Sequence, residues 1–221
     1  MNNNKISFII CSNDSEQLSE CIYYINNLNV PPNYEIELIE VNNQTSIFAG
    51  YNEGMSSTDS KYKIYMHQDV RIINPNFLYD LLNIFQDKTV GLIGMVGASI
   101  LYRDPWHWDA GSIIEVRETN ISLHNFARHS ENAYVSEVDG LLMATQYDIP
   151  WREDLLSGWD FYDRSQSIEF TKQGYRIVVP YQSIPWCIHD CGLVSINDYL
   201  NRQKTFFSVY GEYLIPFPQN F

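Results

Sequence analysis

Residues 64–70 read IYMHQDV, and where this stretch stops being apolar decides the fold. Lys63, Ile64, Tyr65 and Met66 have the pattern of a strand, which ends abruptly at His67-Gln68-Asp69. Side chains two apart on a strand share a face, so His67 and Asp69 would stand side by side, two groups able to ligate a metal. Strands also end in polar residues for no functional reason, and the heptapeptide alone does not separate these readings.

Upstream, Ile6-Ser7-Phe8-Ile9-Ile10 is a short apolar run, as expected of a buried parallel strand. Ser12-Asn13-Asp14 follows as a turn and N-cap cluster, and Leu18, Cys21, Ile22 and Ile25 recur at helical spacing over 15–27. VPPN (30–33) breaks the chain. Residues 34–41 read as a second strand ending in Asn42-Asn43, and 46–57 as a helix with a loop. Beyond the third strand (62–66), Asn74-Pro75 opens a helix with Pro75 in its first turn and Phe77, Leu78, Leu81, Leu82 and Phe85 on one face. This βαβαβα order predicts an α/β fold, a mixed, mainly parallel sheet flanked by helices. Ligands bind such sheets at the carboxyl ends of the strands. Ser12-Asn13, Asn42-Asn43 and His67-Gln68-Asp69 should therefore converge on one crevice.

The second half is less regular. Residues 90–100 suggest a buried strand with turns, 102–111 an aromatic loop, 112–138 an irregular hairpin, and 138–145 and 175–180 strands. Residues 157–174 have the pattern of an amphipathic helix with Gly174 past its end. IPWCIHDCG (184–192) reads as a loop, and Asn197 could cap a last helix running to about Tyr210.

A length of 221 residues fits one domain. The net charge of −13 comes without any Lys/Arg cluster, which argues against nucleic acid and anionic membranes as partners. An anionic ligand would need a metal to supply much of the positive charge. No apolar stretch approaches a membrane span, and the opening MNNNKISFII lacks the form of a signal peptide. A cytoplasmic protein with reduced thiols is expected. The C-x-H-x-C spacing of Cys187, His189 and Cys191 is not a standard zinc motif.

With these pieces in order, the chain resembles the family 2 glycosyltransferases of the glycosyltransferase-A (GT-A) fold, and within them the StrF-like branch. SFIICSND matches the first strand and its nucleotide-contacting loop. ELIEVNN stands where the family ends a strand in an acidic pair, here both Asn. AGYNEG keeps Asn52 and Gly54 of another family element. MHQDV takes the position of the DxD motif, with His67 for the first Asp. YDRSQSIEFTKQGYRIVVP resembles the element carrying the catalytic acid, with Tyr162 where a Glu is usual. His189 resembles a late histidine that some members place on the metal or diphosphate.

The resemblance implies a GT-A domain over 1–195, with a C-terminal helix and tail (196–221) packing on it. It implies a metal-dependent, inverting transferase that moves a sugar from a nucleotide-diphospho sugar to an acceptor hydroxyl, in the assembly of a surface or secreted polysaccharide. Ser12, Asn13, Asn42, Asn52, His67 and Gln68 would bind the nucleotide. Asp69, with His67 and His189, would hold Mn²⁺ or Mg²⁺, and an imidazole ligand favours Mn²⁺. Asp163 or Asp160 would be the base that activates the acceptor. The family's spacing to the glycine after the helix favours Asp163, while Ser157 to Asp160 has the S-x-x-D form of a capping box. Asp139, Trp106 and Trp159 would face the acceptor, although Asp139-Gly140 also reads as a turn and the tryptophans as packing. With both acids lost at Asn42-Asn43, the preferred base need not be uridine. A nucleotide-binding module without catalysis, and a sugar-nucleotide hydrolase, are the rival functions.

Overall fold

A computed structural model describes residues 1–103, 107–126, 130–192 and 198–216. Its centre is β1 (Asn2–Ser12), flanked in parallel by β2 (Glu35–Asn42) and β3 (Ser60–His67). Alternation along β1 sends Phe8 and Ile10 into one core and Ile9 into the other. The first core lies under α1 (Ser15–Asn26) and α3 (Phe77–Ile84), through Leu18, Cys21, Ile25, Phe77, Leu78 and Leu81. Asp14 caps α1, its carboxylate accepting from the backbone N–H of Glu16 and Gln17. Across the sheet, α2 (Ile47–Ser56) presses so closely that a Cβ on Gly54 would lie 2.3 Å from Ile9.

The chain continues through β4 (Val70–Ile72), β5 (Val90–Gly94), β6 (Val96–Ala98), β7 (Ala110–Arg117), β8 (Asn120–Asn125), β9 (Ala133–Val135), β10 (Glu137–Val138), β11 (Leu142–Thr145), α4 (Tyr162–Lys172), β12 (Arg176–Val179), β13 (Cys187–Asp190) and α5 (Tyr199–Tyr210). Among the described residues these make two sheets. The larger has seven strands in the order β2-β1-β3-β11-β5-β12-β9, and the smaller has six, β10-β6-β7-β13-β4 with β8 on β7. The N-terminal half is parallel, and β11 enters antiparallel between β3 and β5. The helix α5 packs on the second core, where the rings of Phe206 and Phe161 stack 5.0 Å apart and Tyr210 donates to Glu169.

Four local expectations change. The helix expected over 157–174 starts only at Tyr162, so Asp160 lies outside it and the capping box does not form. Gly158 (φ +89°) and Phe161 (φ +63°) turn the chain here, and Ser46 ties the segment to the start of α2 by accepting from the Gly158 N–H. The expected loop at 184–192 contains β13, which pairs with β4 and β7. Pro75 precedes α3 instead of sitting in its first turn, because Asn74 accepts from the Asn76 N–H and holds a turn there. Residues 90–100 divide between β5 and β6, which belong to different sheets. Asn197 lies outside the described residues, and α5 follows Asp198.

Candidate active site

The carboxyl ends of β1, β2 and β3 open onto a cavity of about 660 Å³. Ser12, Asn13, Asn42, His67, Gln68 and Asp69 line it, together with Glu40, Asn43, Tyr51 and Trp159. Pairing in register sets this convergence: Ser12 lies opposite Asn42, and Cys11 opposite His67. Ser12 Oγ is 2.7 Å from Asn42 Oδ1 and 2.8 Å from Glu40 Oε1. Gln68 braces the loop between β1 and α1, its Oε1 accepting from the backbone N–H of Asn13 and Asp14 at 2.8 and 3.0 Å. Among the described residues, no lysine or arginine is in the lining.

Asn52 does not join this lining. Its Nδ2 donates to the carbonyl of Trp151 and to Glu153, and its Oδ1 accepts from the Trp151 N–H. The expected nucleotide ligand therefore acts as a clamp on the chain after β11. Trp159, expected near the acceptor, stands in the same cavity as Ser12 and Asn42. Trp106 lies outside the described residues.

At one end of the cavity His67, Asp69 and His189 meet, with ligand atoms within 4.8 Å of one another. Asp69 Oδ1 is 3.8 Å from His67 Nδ1 and 3.6 Å from His189 Nε2. The turn after β3 presents Asp69, and β13 brings in His189 by pairing with β4, where His189 stands opposite Val70. The Asp190 N–H donates to the Asp69 carbonyl and locks the two segments together. Asp69 Oδ1 is buried without a hydrogen-bond partner among the described residues. A carboxylate oxygen stripped of water and left without a donor is costly, and a bound cation relieves that cost. Burial lowers the His67 pKa below its ordinary value, which keeps the imidazole neutral with a lone pair to offer. The residues present thus fit a divalent metal. A second group of Glu115, His189 and Cys191 shares His189 with it, while Cys187 is buried in the apolar core.

Four further carboxylates, Asp163, Asp139, Asp160 and Glu137, lie beyond this cluster. Asp163, in the first turn of α4, accepts from the backbone N–H of Gly140 at 3.1 Å and of Arg164 at 2.7 Å. Burial, and then the charge of Asp139, push its pKa up to about 7. Asp139 Oδ1 accepts from the Leu141 N–H, so its turn-forming role is real. Asp160 is instead ion-paired with Arg202 on α5 at 2.5 Å. Sequence reasoning missed Glu137, Arg164 and Tyr162, which stand close to these groups. Glu137 pairs with Arg164 at 2.5 Å in the interior, and burial raises its pKa to about 7. Tyr162 Oη lies 2.5 Å from His67 Nε2. Only the position of Tyr162 beside Asp163 hinted at this in the sequence.

The sequence matches, over residues 7–210, the family described as "Glycosyltransferase like family", and the chain belongs to it. The structure superposes on GT-A glycosyltransferases, which makes the fold a mixed α/β one of that type. On the mannosyltransferase PcManGT from Pyrobaculum calidifontis, solved with GDP-Man and Mn²⁺, the TM-score is 0.62 at 12% identity, covering 95% of this chain and 65% of that one. On S. aureus TarS it is 0.61 at 12% identity, covering 94% and 39%. On TarS 1–349 in complex with UDP it is 0.58 at 12% identity, covering 92% and 64%. The chain thus spans less than two thirds of the length of each. No curated protein sequence matches it. No helix among the described residues is long and apolar enough to cross a membrane.

Proposed function

We propose that the protein is a metal-dependent, inverting glycosyltransferase that moves a sugar from a nucleotide-diphospho sugar to an acceptor hydroxyl. The His67-Gln68-Asp69 strand end, standing in the position of the DxD motif, is the ground for reading it as a StrF-like member. The observation that carries the proposal is the buried, unpartnered Asp69 Oδ1 between two histidines, at the mouth of the strand-end cavity. A donor diphosphate entering that cavity meets no lysine or arginine among the described residues of the lining. A divalent cation, when bound, neutralises the charge that develops on the leaving diphosphate.

The chain's own groups supply the rest. Asp69, His67 and His189 would hold the cation, with Mn²⁺ favoured by the imidazoles. Ser12, Asn13, Asn42 and Glu40 offer polar atoms to the nucleoside, and Trp159 offers an aromatic face. Asp163 would take the acceptor proton: a pKa near 7 balances availability of the base against its strength at neutral pH. Burial, and then Asp139, keep that pKa high, and Asp160, held by Arg202, is the weaker candidate.

Calorimetry with UDP, GDP and dTDP, with and without Mn²⁺, tests the reading. Nucleotide binding that tightens with Mn²⁺ in the wild-type chain is expected. If no nucleotide binds under any of these conditions, the proposal fails.

A further inference from the structure

We propose that Tyr162 is a positioning residue for the metal cluster, its hydroxyl governing which ring nitrogen of His67 faces Asp69; this rests on the reading of His67, Asp69 and His189 as ligands of a divalent cation. Tyr162 Oη is 2.5 Å from His67 Nε2, and Nδ1, on the other side of the ring, faces Asp69 Oδ1 at 3.8 Å. The contact joins the end of β3 to the first residue of α4, beside Asp163.

The hydroxyl has little freedom. Tyr162 is only 4% exposed, and its ring packs edge-on against Phe48 and Tyr51, with Trp151 6.1 Å away. On a further side lies Gly140, where a Cβ would stand 2.1 Å from the hydroxyl oxygen. Glycine at 140 thus leaves room for this oxygen next to the backbone N–H that Asp163 accepts.

A tyrosine hydroxyl both donates and accepts, so it serves both states of the cluster. Without a cation, it donates to Nε2, and the ring proton sits on Nδ1 beside Asp69. With a cation, Nδ1 must offer its lone pair. The ring proton then moves to Nε2 and is donated to Tyr162 Oη. This is the outer partner that holds the ring of a ligating histidine in place, with Nδ1 towards Asp69, whichever tautomer is present. A phenylalanine would fill the same aromatic cage but hold neither tautomer.

The test combines Mn²⁺ titration, followed by the electron paramagnetic resonance of the free ion, with ¹⁵N shifts of the His67 ring in metal-free protein. It uses wild type, Tyr162→Phe, His67→Ala and the double variant. Tyr162→Phe is expected to weaken Mn²⁺ binding by about 10–100-fold, and by less than about twofold when His67 is already alanine. In metal-free Tyr162→Phe the ring shifts are expected to move from one tautomer towards a mixture. Unchanged Mn²⁺ affinity, or an equal loss in both backgrounds, would overturn the proposal and leave Tyr162 a packing residue. If wild type takes up no Mn²⁺, the functional reading falls instead. The ring shifts then decide alone, and shifts unmoved by Tyr162→Phe overturn the role of the hydroxyl.

Discussion

Replacing Asp163 with asparagine should remove transfer and, at the same time, make the protein relatively more stable as pH rises. The carboxyl carries a pKa of about 7 in the folded chain against an ordinary value of 3.8. Because the folded value is raised, the stabilisation linked to this proton is complete below the unfolded pKa and is lost as pH climbs through 7. The asparagine amide is neutral at every pH and carries no such penalty. If the full shift applied, the advantage of the variant would be ~1.7 kcal/mol at pH 5 and ~4 kcal/mol at pH 8. Asp163 keeps partial contact with solvent, so about half of that change, ~1 kcal/mol, is the expected gain between the two pH values. Asparagine cannot accept from both Gly140 and Arg164 through two carboxylate oxygens, which costs ~1–3 kcal/mol. That cost does not depend on pH and cancels in the comparison. Thermal unfolding with chelator present should therefore show the Tm difference, variant minus wild type, rising by ~2–4 °C from pH 5 to pH 8. A Tm difference that is flat with pH, or sugar transfer retained by the variant, would refute the assignment.

Wild-type kcat/KM should rise with pH through about 7, with roughly a tenth of the plateau at pH 6; a profile flat from pH 5 to 8 would exclude Asp163 as the base. Asp69→Ala should abolish the Mn²⁺-dependent part of nucleotide binding in calorimetry, and an unchanged Mn²⁺ effect would exclude Asp69 as a ligand. Asp160→Asn should keep most transfer activity and cost less than ~1 kcal/mol in denaturant titration, since both partners of the Arg202 pair keep about a quarter of their side-chain surface in water. Gly54→Ala should lose ~1–3 kcal/mol, because the new methyl meets Ile9; an unchanged urea midpoint would contradict the close approach of α2 to β1.

How much was legible follows from which forces were local. The runs at Ile6–Ile10 and 62–66 sit inside β1 and β3, since strands buried on both faces read as mainly apolar runs, their buried Ser7 and Lys63 being partnered by Glu37 and Asp148. The cap at Asp14 and the helical face of Leu18, Cys21 and Ile25 appear as read, because both depend on residues a few positions apart. His67, Asp69 and Ser12 reach one crevice because parallel strands end on the same side. Asn52 departs from its expected role: its amide answers a segment ninety-nine positions away, at Trp151, and nothing beside it signals that bond. The capping box at Ser157 fails because α4 begins only at Tyr162, after the turn at Gly158 that Ser46 holds from another element.

By itself, then, the sequence determined the alternating elements of the first half, the strand end at His67-Gln68-Asp69 and the shortage of basic residues. Side-chain period and capping act over a turn or a pleat and leave their mark in the local order of residues. Only the tertiary structure decided that His189 reaches Asp69, that Tyr162 meets His67, and that Asp163 is largely desolvated with a pKa near 7 while Asp160 is paired with Arg202. Those outcomes depend on which strand edge pairs with which, and on how much water each carboxylate keeps. Both are properties of the packed chain, and no stretch of residues carries them alone.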